Sequence, residues 1–266
     1  MRLLQGRRGR LPEGVKSIDD IIMPSASRNV VRHLALRMKQ LHRLEQIGGS
    51  LPTGIIFFGP PGTGKTQAAM SLAQASGYAF LRTSGATIMG KPDSWDGLVR
   101  EAKDIRPAIV FIDEADDILA DRRYSQVAPL TNRILTTLDG ADGRIRDVIF
   151  IAATNHYDRL DNAAVRGGRF EEKIRFDVPR RQEMKAYVTN GLKKISDQRY
   201  TIASGVPERC LSVLAGCSIA DADALLNRAV NLAAVRALQE NMNELRTADI
   251  TAAARSVFVT LTRATS

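Results

Sequence analysis

The sequence predicts an α/β protein: a parallel sheet of five short strands between helices, followed by a smaller all-α segment. Three observations predict it. Short apolar runs alternate with helical patterns as far as residue 178. Those runs are continuously apolar, as strands buried on both faces must be. Beyond Pro179 only helical periodicity continues. Strands separated by helices imply right-handed βαβ units, hence a parallel sheet covered on both sides.

Each element has its own signal. Residues 1–14 set Gly6, Gly9, Pro12 and Gly14 among arginines, the composition of a mobile arm. After Pro24, Val30, Val31, Leu34, Met38 and Leu41 recur at three- and four-residue steps and predict a helix, which Gly48-Gly49 ends. Leu51 to Gly54 turns the chain into a first strand, Ile55 to Phe58. Further strands are expected at Ala79–Thr83, Ile109–Ile112, Val148–Ala153 and Lys173–Phe176, with helices at Thr66–Ala75, Trp95–Asp104 and Pro129–Leu138. Toward the C-terminus, Gln182–Lys193, Pro207–Leu214, Asp221–Glu240 and Thr247–Phe258 read as helices. Ala222, Leu225, Leu226, Ala229, Val230, Ala233 and Leu238 give one of these an apolar stripe, with Asp221 near its N-terminus. The expected organisation is a basic arm (1–14), an α/β domain (15–178) and an all-α domain (179–266).

Composition narrows the function classes. With 44% hydrophobic and 25% charged residues, the 266-residue chain has the make-up of a globular protein. No apolar run approaches the roughly 20 residues that span a bilayer, and no secretory signal is read at the N-terminus. Cys210 and Cys217 match no zinc pattern and read as packed thiols of a reducing, cytoplasmic compartment. His33, His42 and His156 are too scattered for a metal site. The formal charge of +9 is concentrated in part at Arg2, Arg7, Arg8 and Arg10. Such an arm can hold nucleic acid electrostatically, although it is more often an arm without a dedicated ligand.

Four motifs carry chemistry. Gly59-Pro60-Pro61-Gly62-Thr63-Gly64-Lys65-Thr66, followed by Gln67, lies between the first strand and a helix. Glycines there let main-chain N–H groups and a helix N-terminus cradle a polyphosphate, with Lys65 reaching the β- and γ-phosphates and the Thr66 hydroxyl on Mg²⁺. This is a P-loop, and it predicts ATP binding. Next, Ile109 to Ile112 ends in Asp113 and Glu114, at the edge where open α/β sheets bind ligands. Asp113 suits Mg²⁺; Glu114 suits polarising the water that attacks the γ-phosphate. Third, Val148–Ala153 leads into Thr154 and Asn155. If that strand lies between the first and third, Asn155 sits near the γ-phosphate and helps orient the water. Fourth, Arg166-Gly167-Gly168-Arg169-Phe170 sets two guanidiniums in a Gly-rich stretch too far round the sheet for its own nucleotide. That placement suits a neighbouring subunit's site.

In this order and spacing the four motifs resemble the AAA+ ATPases, and within them the protein-remodelling AAA group. The resemblance runs from about Ser17 to the C-terminus. Ser17-Ile18-Asp19-Asp20-Ile21 resembles the family's segment beside the adenine, which assigns Asp20 and Ile21 to the nucleotide. Leu160 to Glu171 resembles the second region of homology, with Arg166 and Arg169 on its two arginine positions. Ala220-Asp221 resembles the small-residue-plus-acid pair that starts the lid helix, and Leu245 to Ile250 the closing helix. The resemblance implies a homo-oligomeric ring, expected as a hexamer, with ATP and Mg²⁺ between subunits, arginine fingers acting in trans and a protein as substrate.

The departures are as specific. Where the family's pore loop places an aromatic, this chain has Ile88-Met89-Gly90, which suits either a loose apolar grip or ordinary packing. Trp95 is expected in the core. Asn162 and Gly167 replace prolines common in the family, which loosens the arginine segment. There is no H-E-x-x-H and so no metalloprotease signature. The leading expectation is an ATP-hydrolysing remodeller of proteins. Its alternatives are an ATP-switched nucleic-acid-associated protein of the loader or mobile-DNA type, and a slow regulatory ATP sensor.

Overall fold

The computed structural model describes residues 11, 14–120, 128–140, 145–166, 168–197, 200–240 and 242–263. The arm expected at residues 1–14 lies outside the described residues apart from Leu11 and Gly14, as does Gly167. The chain divides into two compact units, one running up to Phe176 and the other from Asp177 onward, with Pro61–Thr63 grouping with the second.

The first unit is built on five parallel strands, β1 (Gly54–Phe58), β2 (Ala79–Ser84), β3 (Ala108–Asp113), β4 (Val148–Thr154) and β5 (Phe170–Arg175), in the order β2-β3-β4-β1-β5. β4 therefore lies between β1 and β3, the condition that brings Asn155 to the phosphate loop. Register sets the depth of each strand end. Phe58 pairs with Thr154, and Ser84 pairs with Asp113, so the motif residues leave the sheet along one C-terminal edge.

Alternate strand residues enter opposite layers because successive side chains point to opposite faces. Ile55, Phe57, Phe80, Ile109, Phe111, Ile149 and Ile151 pack on one side against α1 (Ser25–Lys39) and a later helix carrying Ala68, Ala69 and Leu72. A short α2 (Leu41–Gln46) follows α1, and that later helix is α3 (Lys65–Ser76). Ile56, Leu81, Val110, Ile112, Phe150 and Ala152 face the other layer. It is made by α4 (Gly85–Gly90), α5 (Ser94–Asp104), α6 (Asp116–Leu119), α7 (Ala128–Asp139) and α8 (Asn162–Val165). Trp95 on α5 is fully buried there, lies tilted by 40° against Phe150 with ring centroids 5.6 Å apart, and donates its indole N–H to Thr137 Oγ1 at 3.1 Å. Fully burying one such apolar side chain contributes about 1.5–3 kcal/mol.

The second unit packs α9 (Arg181–Asp197), α10 (Val206–Val213), α11 (Ile219–Glu240) and α12 (Thr247–Arg263) around Val188, Leu192, Cys210, Leu225, Leu226, Ala229 and Ile250. Asp221 and Ser218 cap α11 reciprocally: Ser218 N–H donates to Asp221 Oδ2 at 2.8 Å and Asp221 N–H to Ser218 Oγ at 3.2 Å.

Several sequence expectations are corrected. β5 begins at Phe170, three residues before the expected Lys173, because Glu171 and Glu172 interrupt the apolar signal of an edge strand. Leu238 is 89% exposed, so the α11 stripe ends at Ala233. The helical unit also contains one small parallel pairing, β6 (Thr201–Ile202) with β7 (Glu244–Leu245), too short for a sequence signal. Ile88 is fully buried on α4 and so is a packed residue, whereas Met89 beside it is exposed.

Candidate nucleotide site

The phosphate loop leaves β1 through three glycines with positive φ: Gly59 at +136°, Gly62 at +71° and Gly64 at +90°. L-residues avoid this region. At Gly59 an added Cβ would lie 1.8 Å from the Phe176 carbonyl oxygen, so the close approach requires glycine. Phe176 N–H donates to Phe58 O at 2.8 Å and pins the start of the loop. Gly64 then opens α3, and Gly77 closes it in the left-handed conformation.

Lys65 stands at the first position of α3, buried. Its ammonium donates to Gly59 O at 2.8 Å, Pro60 O at 2.8 Å and Asn155 Oδ1 at 2.7 Å. An ammonium has three donors, and all three are used. Burial pulls its pKa down to about 8, against the opposing attraction of Asp113 and Asp116. The loop thus holds its own cation through carbonyls that a phosphate oxygen can replace.

At the end of β3, the Thr66 hydroxyl donates to Asp113 Oδ2 at 3.3 Å, which places the two expected magnesium ligands side by side. Glu114 follows with φ +50°, a rare conformation for a residue with a side chain. The turn is over-determined: Ala115 N–H donates to Ala153 O at 2.9 Å, and Asp117 N–H to Glu114 O at 3.2 Å. Gly85 also takes part, since a Cβ there would meet Glu114 O at 2.3 Å. The Glu114 residue is exposed at the edge of the sheet.

Asn155 is brought to the loop by β4 and held there through Lys65. Beneath it, buried Thr154 donates its hydroxyl to Asp116 Oδ1 at 2.7 Å and accepts from His156 N–H at 2.9 Å. The Asp20-Ile21 segment lies on the other side of the loop. Asp20 belongs to a short turn (Ile18–Asp20), and Ile21 is buried, with its Cγ2 3.6 Å from where a Cβ on Gly64 would stand. Gln67, one turn into α3, buries an Nε2 that has no hydrogen-bond partner among the described residues. Ala220 is exposed in the first turn of α11, in the second unit.

The two arginines differ. Arg166 is exposed after α8 and has no ion pair among the described residues. Arg169 forms a planar fork with Asp139 at the end of α7, Nε to Oδ1 and Nη2 to Oδ2 both at 2.7 Å, while Nη1 donates to Ala163 O at 2.7 Å. The guanidinium holds the Asp139 carboxyl below its ordinary range.

These residues fit a magnesium–nucleoside triphosphate: a glycine cradle that a Cβ would fill, a buried ammonium, a hydroxyl beside a carboxylate, and an orphaned amide. Three contributors escape the motifs. Asp139 and Asp116 act through contacts 30 and 38 residues away in sequence, which leave no local signal. Arg82, on β2, donates from Nη2 to Asp113 Oδ2 at 2.8 Å. A lone charge after Ala79-Phe80-Leu81, on the ligand edge of the sheet, was its available sign.

The sequence model of the ATPase family associated with various cellular activities (AAA) matches residues 55–178. The chain is 33% identical over 230 residues to the ATP-dependent zinc metalloprotease FtsH 2 of Salinibacter ruber, covering 82% of this chain and 33% of the relative. It is 28% identical over 253 residues to the ATP-dependent zinc metalloprotease FtsH of Marinobacter nauticus, covering 91% of this chain and 38% of the relative. Against the chloroplastic FTSH 8 of Arabidopsis thaliana it is 31% identical over 233 residues, 83% of this chain and 33% of the relative. The chain therefore spans about a third of the length of the curated relatives it matches.

Proposed function

The chain belongs to the AAA ATPases, in their protein-remodelling group, and from that premise we propose that it hydrolyses ATP and uses the cycle to pull on or dissociate a protein substrate. The observation that carries this reading is the pair of hydrogen bonds that start from consecutive residues of the loop, Lys65 to Asn155 and Thr66 to Asp113, beside the strained turn at Glu114.

The loop receives the triphosphate on its main-chain N–H groups and on the positive end of α3. Lys65 exchanges its bonds to Gly59 O and Pro60 O for phosphate oxygens, so the ammonium is placed before the ligand arrives. Thr66 and Asp113 would hold Mg²⁺, which would supply neutralisation of the phosphate charge. Glu114 accepts a proton from the attacking water, and its fixed backbone turn limits the positions its carboxylate can take. Asn155, tied to Lys65, orients that water. Ile21 and Asp20 border the loop on the side assigned to the base, with Gln67 as an additional donor; Ala220 is assigned to the nucleotide by the family resemblance alone.

Completion of the site requires a second copy. Arg166, exposed and without an ion pair among the described residues, presents its guanidinium to the neighbouring subunit's γ-phosphate in a ring, expected as a hexamer. Arg169 occupies the second arginine position and holds the segment through Asp139. Residues 15–178 take the nucleotide-binding role, and residues 179–266 the role of the all-α lid domain. Among the described residues no helix is long and apolar enough to cross a membrane, and we place the protein's action in the cytoplasm.

The test is turnover. Purified protein is expected to hydrolyse ATP, and Glu114→Gln to retain ATP binding while losing about 10²–10⁴ in rate. Turnover that survives Glu114→Gln would refute the assignment. The trapped Glu114→Gln form is also the means of capturing the protein substrate.

A further inference from the structure

Arg82 has no part in the reaction described above, yet it touches the carboxylate at the centre of the site. β2 starts with buried Ala79, Phe80 and Leu81 and then carries this charge. In the β2–β3 register Arg82 lies opposite Phe111, so Asp113 is its diagonal neighbour on the same face, within reach of a long side chain. Phe80 and Phe111 pack in the layer that contains α3, which puts Arg82 on the side of Thr66. Its Nη2 donates to Asp113 Oδ2 at 2.8 Å, and the Thr66 hydroxyl donates to that same oxygen at 3.3 Å.

The two partners are held differently. The Asp113 side chain is 25% exposed at the rigid end of a central strand, whereas that of Arg82 is 57% exposed on the edge strand. Beside them opens a cleft of about 340 Å³ lined by Arg82, Thr83, Ser84, Thr87, Asp113 and Glu114. The guanidinium therefore has room to leave Asp113 without disturbing the sheet.

We propose that Arg82 is a tethered counter-cation for Asp113, which a divalent cation must displace to complete the nucleotide site, so that Arg82 sets how much magnesium the protein requires. The pair rests on the Arg82 Nη2 donor, at the end of a side chain more than half exposed. It opens by competition. Asp113 would exchange the guanidinium for the higher charge density of Mg²⁺, and Arg82 would turn into the cleft. A partly exposed ion pair is a weak competitor, so the effect is a shift in magnesium demand rather than a block. The inference rests on the ATP-site reading and adds a residue that tunes it.

The experiment follows equilibrium binding of a fluorescent ATP analogue to the full chain as magnesium is titrated, with Mn²⁺ binding by electron paramagnetic resonance as a second readout. Arg82→Met is expected to lower the half-saturating magnesium concentration about three- to tenfold. Arg82→Lys keeps charge but loses the planar fork; it is expected to lie between the two, and it carries the test should the methionine variant not fold. An unchanged or increased magnesium demand in the variants, with the analogue still bound, overturns the role of Arg82 alone. A wild-type chain that binds no analogue at any magnesium concentration overturns the nucleotide site itself, and this inference with it.

Discussion

The phosphate loop and the arginine segment are both polar, glycine-bearing stretches next to a strand, but they are finished to different degrees. At the loop every donor of Lys65 already has an acceptor from this chain, and Thr66 already meets Asp113. Of the two arginine side chains, that of Arg169 is engaged with Asp139 and Ala163, while that of Arg166 is exposed and has no ion pair among the described residues. The difference teaches how labour is divided. The loop is prearranged for a ligand that comes from solution. The arginine segment is anchored at one end and open at the other, the arrangement that the proposed role in trans requires.

The largest expected effect breaks that comparison at its open end. Arg166→Ala should cost about 10³-fold in ATP turnover or more, with ATP binding by the isolated chain little changed. Mixing Arg166→Ala with Glu114→Gln, each inactive alone, should restore part of the turnover, because a mixed ring holds interfaces with both groups intact. No recovery on mixing, with mixed oligomers demonstrated, would place Arg166 in its own subunit's site or in none.

A smaller effect is expected at the anchored end. Asp139→Asn removes the charge from the fork that fixes Arg169, and turnover should fall about tenfold through misplacement of the segment. Stability should change by about 1 kcal/mol or less, since the pair is partly exposed. A thermal melt beside the rate assay separates the two; a large loss of stability with an unaltered rate per folded molecule would make the fork purely structural.

The smallest effect sharpens the account of the loop. Burial holds Lys65 at a pKa of about 8 in the nucleotide-free chain, and a bound triphosphate favours its charged form. ATP binding near pH 8 should therefore take up roughly half a proton per nucleotide. Affinity should weaken as pH rises above that point, where the proton must come from solvent. Calorimetry in two buffers of different ionisation enthalpy reads the uptake, and Lys65→Met should abolish it.

Most of the fold was legible because its signals are local. Gly59 to Thr66, the apolar runs of β1, β3 and β4, and the periodicity of α3 and α11 each declare themselves within a dozen residues. The strand order completed the site, since Asn155 reaches Lys65 only because β4 lies between β1 and β3. What sequence reasoning missed depends on register or on distant partners. Arg82 meets Asp113 across a strand pair, Asp139 meets Arg169 across 30 residues, and Gly85 is glycine because of the Glu114 carbonyl. Ile88 and Leu238 show the reverse. Sequence cannot tell a buried isoleucine in α4 from a gripping one, and a helical stripe continues in sequence after its packing partners have ended.

The central claim is that the glycine loop, together with Asp113, receives a triphosphate. Titration of ATP with magnesium into wild-type protein and Lys65→Met, followed by calorimetry, tests it most directly. Saturable binding by the wild type, weakened about a hundredfold or more in the variant, is the predicted result. Equal affinity in the two proteins would contradict it.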